Sequence, residues 1–402
     1  MKLPAAEWQR RPGMRPLLKA LGAAEGETRY VGGCVRDALL GEHAHDIDLA
    51  TRLAPEEVIR RLEEAGIKAV PTGIAHGTVT AVSKGVPVEV TTLRRDVSTD
   101  GRRATIAYTA EWQEDAARRD FTINAISANP ATGELFDYFD GLADLQAGRV
   151  RFIGEALTRI AEDHLRILRF FRFHARFGRG EPDGPAIEAC TTRANDLMAL
   201  SRERIADELL KLLTLPHPEA AARLMVERGI LKPVLPEIGT EGVGRLETLV
   251  ARETAAGVAA EPVRRLAALL PAEEGAAAAV AARLRLSKKI SRRLTCAAAR
   301  GGETERPEAL AYRIGRDEAV DRLLLGDGDA AAAVAALAQW ERPRLHVGGG
   351  DLIAMGLKPG PAVAATLQAT ERDWADAGFP PDTEEQRRIA RRRVDQALRE
   401  RQ

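Results

Sequence analysis

Strand-forming sequence is confined to the first third of the chain, and that asymmetry constrains the fold more than any other feature. Short β-branched runs occur at Arg29-Tyr30-Val31, Ile47-Asp48-Leu49, Thr78–Val82 and Val86–Val90. A helical pattern at Pro55–Ala65 lies between them, with Pro55 suited to a first turn. From about Glu155 onward strand signals give way to amphipathic stretches. These are Leu157–Phe177, Ile187–Leu197, Arg202–Leu213, Glu219–Arg228 and Val263–Leu270, separated by Pro and Gly. The chain has 402 residues, enough for about two or three domains. The expected architecture is multidomain: an N-terminal mixed α/β module, then an all-helical remainder. The run Ala330–Ala336 reads as a packed helix, Val347–Pro361 as a Gly/Pro-rich junction, and Arg387–Arg401 as an Arg-rich helix.

Lys+Arg and Asp+Glu both number 59, so the net charge is zero. A nucleic-acid partner must therefore be held by local patches rather than by bulk attraction. Hydrophobic residues at 45% and charged residues at 29% fit a globular chain and exclude wholesale disorder. Cys34, Cys190 and Cys296 form no CxxC pair, which excludes a zinc ribbon or disulfide framework. The N-terminus lacks an apolar signal region, and no stretch of about 18 apolar residues occurs. A cytoplasmic protein with no membrane partner is expected.

The sharpest local feature is His45-Asp46-Ile47-Asp48-Leu49. In a strand, alternate residues share a face, so Asp46 and Asp48 are expected to project together while Ile47 and Leu49 face a core. Paired carboxylates repel unless a cation neutralises them, and hard oxygen ligands suit Mg²⁺. Two such ions about 4 Å apart can hold the attacking and leaving oxygens of a phosphoryl displacement. Glu89, alternating with Val88 and Val90, supplies a third acid. A solvated pair on an edge strand is the competing reading. Upstream, Val31-Gly32-Gly33-Cys34-Val35-Arg36-Asp37 runs a strand through two glycines into a helix. Such a turn lets backbone N–H groups approach a phosphate, and Arg36 adds a charge-assisted contact. The G-x-G-x-x-G spacing of a dinucleotide-binding oxidoreductase is absent.

These segments, together with Arg118-Arg119-Asp120-Phe121-Thr122-Ile123-Asn124-Ala125 and Glu162-Asp163 with Arg166 and Arg169, resemble the class II tRNA nucleotidyltransferases. That family comprises the CCA-adding enzymes and the related bacterial poly(A) polymerases. Ser201-Arg202-Glu203-Arg204-Ile205 with Glu208-Leu209 is similar to its next helix motif, and Asp351-Leu352 with Gly356–Pro361 to a segment of its tail. The resemblance implies an α/β nucleotidyltransferase head with a small mixed sheet (1–154), followed by an all-α base-recognising neck (155–215), body (216–340) and tRNA-binding tail (341–402). It also implies addition of C, C and A to the tRNA 3′ end from CTP and ATP with Mg²⁺. By position, Asp46 and Asp48 correspond to metal ligands and catalytic acids, with Glu89 as a third. Gly33, Arg36, Arg119, Asp120 and Asn124 correspond to triphosphate and sugar contacts. Asp163, Arg166, Arg169 and Arg172 correspond to the nucleotide-reading helix. No protein partner is inferable.

A continuous helix advances about 100° per residue, so Asp163, Arg166 and Arg169 are expected to span about 120° of one face. Leu165, Leu168 and Phe171 would then pack on other faces. Cytosine and adenine share an amine beside an unprotonated ring nitrogen. A carboxylate accepts from the first and a guanidinium donates to the second. Uracil and guanine would leave those charges mispaired. An ordinary face of ion pairs is the alternative. The polar stretch 94–115, with a turn at Asp100–Arg103, is either a mobile surface hairpin or the family's C-to-A switching loop, with Leu93 where many members carry Phe. The arginines of 387–401 and the group Lys288-Lys289-Arg292-Arg293 are two basic candidates for RNA phosphates. Of the seven histidines, none has a helical metal-ligand spacing, and Cys34 is not expected to be a nucleophile. Rival functions are a poly(A) polymerase or A-adding enzyme, and a noncatalytic RNA-binding protein on the same scaffold.

Overall fold

The computed structural model describes residues 1–44, 46–99, 104–300 and 306–400, without the side chains of 96–99 and 104–105. A seven-stranded sheet, in the order β3-β4-β5-β2-β1-β8-β9, forms the head. The strands are β1 (Thr28–Val31), β2 (Asp48–Thr51), β3 (Lys68–Gly73), β4 (Thr78–Ser83), β5 (Val86–Thr92), β8 (Ser127–Ala128) and β9 (Leu135–Phe136). A separate two-stranded ribbon pairs β6 (Arg94–Thr99) with β7 (Ala104–Tyr108), and the turn expected at 100–103 lies outside the described residues.

The sheet is antiparallel except at one ladder. There β2 and β5 run parallel, with Asp48 beside Glu89 and Leu49 beside Val90. Alternation explains which face is covered. Val79 and Ala81 of β4 and Val88 and Val90 of β5 are buried, while Pro87 and Glu89 are exposed. The helix Pro55–Glu64 starts on its proline and buries Val58 and Leu62 on one side. Each such aliphatic side chain stabilises by about 1.5–3 kcal/mol when fully buried.

By compactness the chain divides into two units. One comprises Met1–Leu212 with Ala220–Val234, and the other Leu213–Glu219 with Leu235–Gln402. In the first, the sheet is followed by the helices Ala156–Glu162, Arg166–Phe177, Gly184–Thr192 and Arg202–Leu213. Four phenylalanines from this region, Phe121, Phe152, Phe170 and Phe173, stack at centroid distances of 4.9 to 6.3 Å. In the second unit every named element is a helix, including Thr240–Ala255, Pro262–Leu269, Lys288–Ala298, Arg316–Leu325, Ala330–Ala338 and Thr383–Arg399. Gly242 lets the first two of these approach: a Cβ there would collide with the Leu269 carbonyl oxygen.

That second unit also buries a closed ionic cluster. Arg264 donates to Glu253 at 2.7 Å and to Asp321 at 3.1 Å. Arg265 donates to Glu253 at 2.8 Å, and Arg293 to Asp321 at 2.6 Å. Arg293 therefore stabilises the interior and is not one of the solvated cations expected of the 288–293 group. Among the described residues no helix is long and apolar enough to cross a membrane.

Candidate active site

The strand β1 delivers the chain to Gly32, whose φ of 69° and ψ of −128° suit glycine far better than any residue with a Cβ. A Cβ at Gly32 would lie 3.0 Å from a terminal nitrogen of Arg119. The helix Gly33–Leu39 begins there. The sequence reading singled out Gly33; the backbone demands glycine at Gly32. Ile47 and Leu49 are buried as expected, 4% and 1% exposed. The strand, however, starts only at Asp48, and Asp46 precedes it in an exposed bend. The expected strand pairing of the two acids is thus corrected, because β1–β2 pairing stops at Leu49.

Asp48 and Glu89 are brought side by side by the parallel ladder. Burial raises the Asp48 carboxyl above its usual value. The charges of Glu89 and, less strongly, Asp46 act the same way, while Arg119 opposes them. Oxygen donors under mutual repulsion fit a hard divalent cation in their chemistry. Among the described residues, though, no three His, Cys, Asp or Glu side chains converge closely enough to hold one. Cys34 lies beneath, its thiol donating to the Val31 carbonyl at 3.4 Å. Burial pushes that thiol up to about 12, which agrees with a packing role.

A cavity of about 440 Å³ gathers Gly32, Gly33, Arg36, Asp48, Arg119, Asp120, Asn124, Asp163, Arg166, Arg169 and Arg172, with Arg118 and Phe173. Of the site residues expected from sequence, only Asp46 and Glu89 do not line it. Its side chains are tied to one another. Asp120 accepts two bonds from Arg169, at 2.8 and 2.6 Å, and one from Asn124 at 2.9 Å. Burial alone would raise the Asp120 carboxyl, but Arg169 and these bonds hold it at about 2. Arg36 is 5% exposed, and two of its nitrogens rest on Asp37 at 2.8 and 2.6 Å while a third reaches Asn124. Arg36 thus backs the glycine turn with its charge already answered.

One expectation about the base-reading segment fails. Leu157–Phe177 is two helices, Ala156–Glu162 and Arg166–Phe177, and Asp163 sits in the break with extended φ and ψ of −151° and 106°. The helical phase joining Asp163 to Arg166 therefore does not exist, although Leu165, Leu168 and Phe171 are buried. The break is stabilised by a local cap, in which Asp163 accepts from the Leu165 N–H at 3.1 Å, and by ion pairs both local and distant. Arg204 donates one terminal nitrogen to both Asp163 oxygens, at 3.0 and 2.8 Å. Arg166 donates to Glu162 at 2.6 Å and to the Arg118 carbonyl at 2.9 Å. Glu208 accepts from Arg172 at 2.6 Å and lies 3.6 Å from Arg169. Sequence places Arg204 and Glu208 in a helix motif but not among the site residues. Their spacing of four on the helix Arg202–Leu213 is the signal that could have placed both on one face.

Residues 28–151 match the model described as the poly A polymerase head domain, and residues 185–240 match a probable RNA and SrmB binding site of polymerase A. Fold and cavity thus define a polymerase-type nucleotide-transferring head joined to helices. The mitochondrial CCA tRNA nucleotidyltransferase 1 of Mus musculus is 34% identical over 96% of this chain and 92% of its own length. The CCA-adding enzyme of Lacticaseibacillus paracasei is 32% identical over 91% and 92%. The crystal structure of the Bacillus stearothermophilus CCA-adding enzyme in complex with CTP superposes with a TM-score of 0.70. It is 25% identical and covers 97% of this chain and 100% of that one. The chain belongs to the CCA-adding tRNA nucleotidyltransferase family.

Proposed function

We propose that this chain adds CCA to the 3′ end of tRNA from CTP and ATP, without a nucleic-acid template. The observation that carries the reading is the single cavity in which the glycine turn, Asp48, Arg119 and Asp120 meet Asp163 and Arg166. A triphosphate fits the turn at Gly32 and Gly33, where backbone N–H groups and Arg119 face an anion. Asn124 and Asp120 lie where the sugar would rest. Asp163 and Arg166 present an acceptor and a donor to the base edge. Their partners Arg204 and Glu162 hold them in place, so a base with the opposite pattern sets acceptor against acceptor and donor against donor. Mg²⁺ is the proposed cofactor: Asp46 and Asp48 would hold it, with Glu89 alongside, and it would supply activation of the RNA hydroxyl and charge neutralisation at the leaving pyrophosphate. The head (1–154), neck (155–215), body (216–340) and tail (341–402) are the proposed division of labour, with the tail and its Arg-rich end on the tRNA.

The test offers the purified protein three primers in Mg²⁺: tRNA lacking CCA, tRNA ending in CC, and oligo(A). Each receives CTP, ATP or both. Addition of exactly three nucleotides to the first and one to the second is the expected result. Long products on oligo(A) would instead assign a poly(A) polymerase, and extension only of tRNA ending in CC an A-adding enzyme.

A further inference from the structure

We propose that the all-helical unit carries a second anion site, in which Arg245, Arg252 and Arg300 take the phosphate group of a small phosphorylated molecule. The site is a cavity of about 630 Å³ lined by these arginines together with Gly244, Thr248, Leu249, Ala272 and Leu325, with Glu241 and Asp327 among the other lining residues. Its volume falls among those of small-molecule pockets. Nothing in the nucleotide-transferring reading uses it.

Two of the arginines are placed by the end of the helix Pro262–Leu269, and the third by the end of the helix Arg316–Leu325. Arg245 donates to the Ala268 and Leu270 carbonyls, both at 2.9 Å. Arg300 donates to the Ala267 carbonyl at 2.6 Å and also to that of Leu270. Arg252 donates to the Gly326 carbonyl, to that of Leu324 at 3.2 Å and to that of Gly328 at 3.3 Å. Helix-end carbonyls carry only about half a negative charge in total, so two guanidiniums sharing the Leu270 oxygen are under-compensated.

The carboxylates do little to correct this. Glu241 stands 3.9 Å from Arg245 on a side chain 92% exposed. Among the described residues Arg252 and Arg300 enter no ion pair. Burial first, and Arg245 second, lower the Arg300 guanidinium to about 10. The contrast with the catalytic cavity is direct, because there Arg166, Arg169 and Arg172 all have carboxylate partners. A guanidinium has five N–H donors, and the bonds to carbonyls leave several for an incoming oxyanion. The apolar wall of Leu249, Ala272 and Leu325 suits the body of a small molecule better than it suits an RNA backbone.

The experiment adds a carboxylate to the cavity wall. Gly244 lines the cavity, and a Cβ there meets nothing within 4 Å, so Gly244→Glu and Gly244→Gln both fold. Crystals of the wild-type protein soaked in tungstate are expected to show the anion on Arg245 and Arg300, and crystals of Gly244→Glu none there. In solution, the rise in Tm caused by inorganic phosphate should fall by at least half in Gly244→Glu and persist in Gly244→Gln. The affinity for tRNA should be the same in both variants. An empty cavity in the tungstate crystals overturns the proposal, as does an equal phosphate response in the two variants. A tenfold loss of tRNA affinity confined to Gly244→Glu would assign the arginines to an RNA phosphate and overturn the small-molecule reading.

Discussion

Two assemblies of arginine and carboxylate lie in this chain, and they are closed to different degrees. In the helical unit, Arg264, Arg265 and Glu253 are 2%, 3% and 2% exposed, and Asp321 is fully buried. Every charge there is answered and no ligand has room. In the head and neck, Asp120, Asn124, Arg166, Arg169 and Arg172 use the same chemistry around an open cavity. At its edge stands Asp48, which enters no ion pair among the described residues and has acids for neighbours. A complete network fixes a core. A network complete everywhere except beside one acid holds a site ready for something cationic and something phosphorylated.

The comparison can be broken from either side. The largest expected effect is on chemistry. Asp48→Asn should cost at least about 10³-fold in nucleotide addition, of the order of removing one strong electrostatic group. Its Tm should hold or rise, because the change removes a repelled buried charge. A variant that extends tRNA at the wild-type rate would sink the metal assignment. Next comes the closed cluster. Glu253→Gln should destabilise by about 3–5 kcal/mol in denaturant titration, since it strands Arg265 and leaves Arg264 with Asp321 alone, while leaving the choice between CTP and UTP unchanged.

The third effect is the pH dependence of Asp120. Its folded value of about 2 lies below the ordinary 3.8, so its contribution is present above the unfolded pKa. That contribution is lost as pH falls from about 4 toward 2. It amounts to about 2 kcal/mol, and Asp120→Asn should flatten that part of the acid limb. The smallest is Arg204→Met. Freed from its partner, Asp163 should discriminate against UTP about five- to tenfold less, roughly 1 kcal/mol, with kcat for CTP little changed. Undiminished discrimination would remove Arg204 from the proposed base reader.

Most of the head was legible because its signals are local. The alternation around Val79, Val88 and Val90, the proline opening Pro55–Glu64 and the glycines before Arg36 each dictate backbone geometry within a few residues. The break at Asp163 was not legible. Its residues suit a continuous helix, and what holds the chain extended is Arg204, 41 positions away. Arg36 lines the cavity, and what sequence did not announce there is its bond to Asn124, 88 positions away. The arginines on the end of Pro262–Leu269 left no trace, because backbone carbonyls have no sequence signature.

The parallel register of β2 on β5 has one more consequence. Neighbouring strands keep about 4.8 Å between their backbones, so the gap between the acid at 48 and the acid at 89 is ruled by main-chain hydrogen bonds rather than by loops. Such a cassette tolerates drift in almost every surrounding side chain. It can be wired to quite different helical appendages and still keep its gauge.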